Sequence, residues 1–189
     1  MDFYISDLHL GHANIVKYCG RPFRDQEHME EVIIQNWNGM VTENDTVYIL
    51  GDFSLHYKPE KKQQLLDTLN GTKILVIGNH DIRRIGHWAK LGVVAHKKPI
   101  VHRGFILSHE PVLFPEIPNI HGHTHGNLHC GEVAGHGIHI CVSVETINYT
   151  PVSHDQIMMV LSSMVEQSAH NRCDASSNLA GPTIMKENI

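Results

Sequence analysis

The chain of 189 residues has no long apolar run, no CxxC pair and no excess of basic residues. Because no apolar run approaches the roughly 20 residues of a membrane span, we expect no transmembrane helix. The segment MDFYISDLHL lacks the basic and apolar regions of a signal peptide, so we expect a cytoplasmic protein. Four cysteines without CxxC spacing indicate reduced thiols rather than a disulfide framework or a thiolate zinc site.

Basic and aromatic residues are also scarce. The net charge is −5 and aromatic residues make up 6% of the chain, which contains no basic stripe and no aromatic-rich segment. A surface that binds long nucleic acid is expected to have a basic stripe and exposed aromatic residues. Extended DNA or RNA is therefore not favoured as a partner. Histidine, in contrast, is abundant: the chain has 17 histidines, against 15 lysines and arginines together.

The first eighty residues alternate between apolar strands and amphipathic helices. The predicted strands are 3–6, 46–50 and 73–77, and the predicted helices are 25–40 and 59–70. Asp25 is suited to cap the first helix, and Pro59 to begin the second. This alternation is typical of an α/β sheet.

The second half has a different pattern. Two apolar runs flank Arg103 and Gly104, which predicts a hairpin, and another strand is predicted at 138–144. Ser-His-Asp-Gln at 153–156 matches a capping box and predicts a final helix with an apolar stripe. We expect one domain over residues 1–168, followed by an irregular tail over 169–189.

Polar side chains follow each of the three early strands, and more histidines come later. In an open α/β sheet, ligands bind beyond the carboxyl ends of the strands. These groups are too many for one tetrahedral zinc, and they suit two borderline cations that share a carboxylate. The candidates are Asp7, His9, Asp52, Asn79, His80, Asp81, His109, His121, His123 and His125.

The ordered set DxH, GD, GNHD, a lone His and GHxH resembles the calcineurin-like metallophosphoesterase family. It extends from Asp7 to His125, about two thirds of the chain, and every element is present. The flanking segments SDLHLGHANI, RPF and VYILGDF resemble a compact bacterial and phage branch of phosphoesterases. The resemblance implies a four-layer αββα sandwich, with two mixed β-sheets face to face and helices outside.

The resemblance also implies two divalent cations. The ligands of the first would be Asp7, His9 and His125. The ligands of the second would be Asn79, His109 and His123. Asp52 would bridge the two cations, for which we expect manganese, with Fe, Zn, Ni or Co as alternatives. Spacing leaves open which two of the three alternate histidines are ligands, and the GHxH match excludes His121.

The motif match further implies catalytic roles. His80 would contact the phosphate and help to protonate the leaving oxygen, with Asp81 steadying its ring. Arg21, His12 and Asn14 are weaker candidates for substrate binding, since an arginine can hold a phosphate through two hydrogen bonds. The pair Lys97-Lys98 is typical of a solvated turn.

These groups predict a hydrolase of phosphate esters that uses a hydroxide bridging the two cations. We favour a phosphodiesterase acting on a small, nucleotide-like substrate. One alternative is a nuclease acting on DNA or RNA, because the metal centre alone does not distinguish a nucleic acid from a small nucleotide. Another is an inactive interaction module of the same fold. A module would have no need of the phosphate-contacting His80, which favours an enzyme.

Overall fold

The structure is a computed structural model that describes residues 1–113, 116–125, 131–133 and 137–177. The strands are β1 (Asp2–Ile5), β2 (Thr46–Ile49), β3 (Thr72–Val76), β4 (Val94–His96), β5 (Ile100–His102), β6 (Phe105–Leu107), β7 (Asn119–His121), β8 (Gly131–Val133), β9 (Gly137–Cys141) and β10 (Val152–Ser153). The helices are α1 (Ile15–Tyr18), α2 (Gln26–Met40), α3 (Pro59–Thr68), α4 (Ile85–Lys90) and α5 (His154–Ser177).

The strands form two mixed sheets. In the first, of order β10-β1-β2-β3-β4, strands β1 to β4 are parallel and β10 is antiparallel. In the second, of order β5-β6-β7-β9-β8, strands β6, β7 and β9 are parallel, whereas both edge strands are antiparallel. Two mixed sheets flanked by helices confirm the predicted αββα sandwich.

Side chains that point alternately to the two faces of a strand divide the core into two layers. Tyr4 of β1 joins the cluster between the sheets, where it packs with residues such as Leu107 and Ile140. Its neighbours Phe3 and Ile5 join the other cluster, which contains the buried faces of the helices α2 and α3. Successive strand side chains point to opposite faces, so one strand supplies both layers.

Several local predictions are confirmed. The Asp25 carboxylate accepts a hydrogen bond from the backbone N–H of His28 at the start of α2, and Pro59 begins α3. Strands β5 and β6 form the predicted antiparallel hairpin. Ser153 and Gln156 form the reciprocal bonds of a capping box, with N···O distances of 2.8 and 3.3 Å.

The end of the chain departs from the prediction. The backbone of α5 stays helical through Ser177, so the tail does not become irregular at 169. No glycine or proline interrupts residues 154–177, and polar residues such as arginine and glutamine tolerate a helix well. The apolar stripe is narrower than expected, because Val160 and Val165 are 38% and 51% exposed. Residues 178–189 lie outside the described part of the chain.

No helix in the described residues is long and apolar enough to cross a membrane.

Candidate metal centre

The predicted donor residues follow strands of both sheets and converge at one edge of the sandwich. In the first sheet, the donors come directly after the parallel strands β1, β2 and β3. In the second, they come after the parallel strands β6 and β7. The carboxyl ends of parallel strands meet at the same edge of a sheet, which explains the convergence. The donors brought together are Asp7, His9, Asp52, Asn79, His109, His123 and His125.

The first group consists of Asp7, His9 and His125. Each offers one ligand atom, and these three atoms lie within 4.8 Å of one another. Asp7 Oδ1 and both ring nitrogens of His9 are buried without a hydrogen bond. Burial, together with nearby cationic groups such as Arg21, lowers the pKa of His9 to about 2, so its imidazole is neutral. A buried carboxylate oxygen without a partner is unfavourable, whereas these donors together could hold a cation.

The second group consists of Asn79, His109 and His123. Asn79 Oδ1 lies 2.7 Å from His109 Nε2 and 3.1 Å from His123 Nδ1, and the two ring nitrogens are 3.2 Å apart. His109 Nδ1 lies 2.9 Å from the carbonyl oxygen of Leu50. An N–H at Nδ1 that donates to this carbonyl leaves a lone pair at Nε2, which is the usual orientation of a metal-binding histidine.

Asp52 lies between the two groups. Its Oδ2 is 3.5 Å from Nε2 of His9 and 3.5 Å from Nε2 of His109. Its Oδ1 accepts a hydrogen bond from the backbone N–H of His80, at 2.9 Å. Burial raises the pKa of Asp52, because it disfavours the charged form of the carboxyl group. Ligand atoms of Asp7, Asp52 and His109 also lie within 4.8 Å, so Asp7 is close to both groups.

Two serines orient the Asp7 carboxylate. Asp7 Oδ2 accepts hydrogen bonds from Ser6 Oγ and Ser143 Oγ, both at 2.7 Å, and from the backbone N–H of His123 at 2.9 Å. These three donors fix one oxygen of the carboxylate, so that the other, Oδ1, is left for the cluster. Sequence reasoning missed both serines, since neither belongs to a ligand motif.

Arg21 is buried and its side chain is bonded to other protein groups, so the expectation that it binds substrate is wrong. The residue as a whole is 4% exposed, and its side chain is fully buried. It donates to the carbonyl oxygens of Asp7 (2.8 Å) and Leu8 (3.0 Å) and to the carboxylate of Glu145 (2.7 Å). A buried guanidinium whose donors bind backbone and carboxylate has no face left for a phosphate. Arg21 instead holds the segment that carries Asp7.

Glu145 contacts the first donor group, and the sequence did not reveal it. Its Oε1 lies 3.0 Å from His125 Nδ1, so that one carboxylate orients both His125 and Arg21. Burial alone would raise the pKa of Glu145, but the hydrogen bond from His125 and the charge of Arg21 lower it to about 2. Glu145 stands in no motif, and only its place beside His125 indicates a role.

Asp81 does not steady the His80 ring. One carboxylate oxygen of Asp81 accepts hydrogen bonds from the N–H groups of Asp52 (2.8 Å) and Gly78 (3.0 Å), and the other from Phe53 (3.0 Å). Burial raises its pKa to about 6. Backbone donors outcompete the ring because they converge on a fully enclosed carboxylate. Asp81 therefore joins the loop that carries Asp52 to the loop that carries Asn79.

The remaining candidates lie around the first group. The exposed His80 has its ring centroid 5.4 Å from that of His9. The ring of His12 is 5.7 Å from that of His9 and 6.0 Å from that of His56, and its Nδ1 is buried without a hydrogen bond. The exposed side chain of Asn14 forms no hydrogen bond with the described cluster residues.

The backbone around the cluster is strained. Five donor residues have a positive φ, which is uncommon outside glycine and concentrates at functional sites: Asp7 (58°), His9 (51°), Asp52 (54°), His123 (70°) and His125 (47°). Gly122 allows the two sheets to approach, since a Cβ there would lie 1.8 Å from Ser6 Oγ. Gly51 has a φ of 90°, and a Cβ there would lie 2.3 Å from His109 Nδ1.

The chain is similar to several known proteins. No family model matches the chain. The uncharacterized protein MJ1445 of Methanocaldococcus jannaschii is 41% identical over 167 residues, which cover 84% of this chain and 90% of that protein. The chain belongs to the same family as MJ1445. The Gene 66 protein of Mycobacterium phage L5 is 32% identical over 81 residues, which cover 42% of this chain and 39% of the phage protein.

Two solved structures are also similar. The protein of unknown function AQ665 from Aquifex aeolicus matches with a TM-score of 0.66 at 27% identity, covering 85% of this chain and 98% of that chain. The nuclease MPE of Pseudomonas putida matches with a TM-score of 0.44 at 23% identity, covering 65% of this chain and 59% of that chain. The first likeness extends over almost the whole solved chain, and the second is too weak to support an argument.

Proposed function

We propose that the protein is a metal-dependent phosphoesterase of the calcineurin-like metallophosphoesterase family, with two divalent cations in one cluster. The observation that carries this proposal is the position of Asp52. Its Oδ2 lies 3.5 Å from the Nε2 atoms of both His9 and His109, which belong to different donor groups. A carboxylate between two sets of donors is suited to hold two cations close together.

The types of donor in the cluster favour the binding of borderline transition metals. Four imidazoles, two carboxylates and one amide favour Mn, Fe, Zn, Ni or Co over Mg or Ca, which bind almost entirely through oxygen. We propose manganese as the first cation to test. When bound, two such cations activate water and neutralise charge on the phosphoryl group.

His80 is the proposed general acid. Its ring is exposed beside that of His9. Its backbone N–H donates a hydrogen bond to Asp52, which holds the His80 backbone next to the donors. A histidine in this position would give a proton to the leaving oxygen and contribute about 10²- to 10⁴-fold to the rate. Neither Ser6 nor Ser143 is suited to act as a nucleophile, because both are buried and donate to Asp7.

We propose a small phosphodiester with a planar group, such as a nucleotide, as the substrate. The ring of His12 is 5.7 Å from that of His9 and 6.1 Å from that of Tyr18, so aromatic rings extend from the cluster to the surface. Tyr18 is 74% exposed, and its face is available for stacking. Stacking of a base on an aromatic side chain contributes about 1–3 kcal/mol.

The test is hydrolysis of bis-p-nitrophenyl phosphate by protein reconstituted with Mn, Fe, Zn or Ni. We expect Asp52→Asn to lose both metal content and activity. His80→Ala should keep its metal and lose about 10²-fold or more in kcat. His28→Ala is the matched control, because its ring contacts Phe23 rather than the cluster. Equal activity in wild type, Asp52→Asn and His80→Ala would contradict the mechanism.

A panel of substrates then identifies the class of phosphate ester that the protein hydrolyses. It should contain cyclic nucleotides, dinucleotides, phosphomonoesters and single-stranded oligonucleotides, each with the best metal. We expect the highest kcat/KM for a small diester. Efficient cutting of long strands with little action on small diesters would identify a nuclease instead. Full metal content without any hydrolysis would identify an interaction module.

A further inference from the structure

A cleft of about 230 Å³ opens directly beside the second donor group. We call it the cationic cleft. Two cluster residues, Asn79 and His109, line it together with Ser108. Four charged side chains also line it: Arg83, Lys97, Lys98 and Glu110. None of these four charged residues belongs to the metal motifs.

The charge of the cleft is opposite to that of the chain. Three cations face one carboxylate there, whereas the chain as a whole has a net charge of −5. In the described part of the chain, Arg83, Lys97 and Lys98 form no salt bridge with any acidic side chain. Apolar residues such as the buried Val76 form part of the wall. A cleft of one sign with apolar walls focuses its field and concentrates ions of the opposite sign.

The topology explains why these residues meet. Arg83 comes after β3, in the same loop as Asn79, and the two lysines come directly after β4. Strands β3 and β4 are parallel neighbours, with Val76 paired to His96, so both loops leave the same edge of the sheet. The cations are therefore placed by the same strand ends that place the donor residues.

We propose that the cationic cleft binds a second phosphate of the substrate, next to the phosphate that is cleaved. This inference rests on the proposed function and narrows its substrate to small phosphodiesters that carry a further phosphate, such as 5′-phosphorylated dinucleotides. The charged lining of the cleft, rather than its volume, favours a phosphate over a base. Arg83 can bind a phosphate through two hydrogen bonds, and the lysines act as point charges.

The kinetic test compares two dinucleotides that differ by one phosphate, pApA and ApA, with bis-p-nitrophenyl phosphate as a third substrate. We expect Lys97→Ala/Lys98→Ala and Arg83→Ala each to raise KM for pApA about tenfold and to leave bis-p-nitrophenyl phosphate unaffected. Glu110→Gln should lower KM for pApA. The matched controls are Arg84→Ala and Lys90→Ala, since both residues line a different cleft.

A binding test separates this inference from the proposed function. Metal-free protein, prepared with EDTA, is titrated with inorganic pyrophosphate and followed by ³¹P NMR. We expect binding by wild type that weakens with ionic strength and falls about tenfold in Lys97→Ala/Lys98→Ala but not in Arg84→Ala. Pyrophosphate binding by the metal-free protein, together with no hydrolysis after reconstitution with any of the metals, would support the cleft while contradicting the phosphoesterase.

Three results would overturn the inference. One is an equal loss of activity with all three substrates in the cleft variants, which would indicate a general effect on the metal centre. Another is unchanged KM for pApA together with unchanged pyrophosphate binding in the cleft variants. The third is a rise in KM in the cleft variants that is confined to long oligonucleotides. Such substrates carry several backbone phosphates, so this result would indicate a nucleic-acid surface rather than a site for the second phosphate of a small substrate.

Discussion

The guanidinium of Arg21 and the carboxylate of Glu145 form an ion pair at 2.7 Å, with side chains that are 0% and 12% exposed. The pair connects the two halves of the first donor group. Arg21 donates to the backbone of the segment that carries Asp7, and Glu145 accepts from the ring of His125. The orientation of two proposed ligands thus depends on two residues that bind no metal themselves.

Replacing Arg21 by alanine should destabilise the fold. Glu145 would keep a buried charge without its partner, and such a loss lowers the free energy of unfolding by about 3–5 kcal/mol. Urea denaturation of the metal-free protein measures this change. Glu145→Gln is the matched control and should be less harmful, because an amide still accepts from both neighbours. A folded Arg21→Ala protein of unchanged stability with a raised KM would instead restore the substrate-binding role.

Ser143→Ala should weaken metal binding without unfolding the protein. Asp7 Oδ2 would lose one of its three donors, so the carboxylate would be less firmly oriented. Loss of such a supporting contact typically lowers metal affinity about 10- to 100-fold. Calorimetric titration with Mn²⁺ tests this effect. Ser163→Ala, on the exposed side of α5, should leave the affinity unchanged. Wild-type affinity in Ser143→Ala would show that the other two donors are sufficient.

Asp81→Asn distinguishes two roles for this residue. Each Asp81 oxygen accepts from backbone N–H groups, and an amide nitrogen there would face a donor instead. We expect a loss of about 1–3 kcal/mol in the free energy of unfolding and weaker metal binding, since Asp52 sits on the disturbed loop. Thermal unfolding and metal titration measure the two effects. A fall in kcat alone, as expected for His80→Ala, would mean that Asp81 acts through the His80 ring after all.

Asp2 should make stability depend on pH at the acid end. Its carboxylate lies 3.0 Å from His102 Nε2 and 3.2 Å from Arg103 Nη1. Partial burial opposes ionisation, but hydrogen bonds from His102 and Arg103 outweigh it and lower the pKa of Asp2 below 3.8. Because the folded-state pKa is the lower one, the stabilisation is present above about pH 4 and is lost as the pH falls through the folded-state pKa.

The measurement for Asp2 is the difference in unfolding free energy between wild type and Asp2→Asn. It should be largest near neutral pH and shrink below about pH 4. In a background of His102→Ala and Arg103→Ala, this pH dependence should disappear. A difference that grows as the pH falls would contradict the assignment.

Local chemistry explains what could be predicted from the sequence. Cap residues such as Asp25 and Ser153 act within three or four positions along the chain, so their effect is visible in the sequence. The strands of the first half were predicted for a similar reason, since a short continuous apolar run is a local pattern, and β1 and β2 are buried along most of their length. The donor residues were found because they follow those strands in ordered motifs. The short strand β7 was not predicted as an element, since its three residues show too little periodicity.

By itself, the sequence determined the alternation of strands and helices, and it named the side chains that converge at the cluster. Only the tertiary structure decided what holds those donors. Ser143 reaches Asp7 across 136 positions, and Arg21 reaches Glu145 across 124. It also decided that the lysine pair after β4, Lys97 and Lys98, shares a cleft with Asn79. Such contacts depend on burial and on the distance between folded segments, and neither quantity is encoded in the neighbours of a residue along the chain.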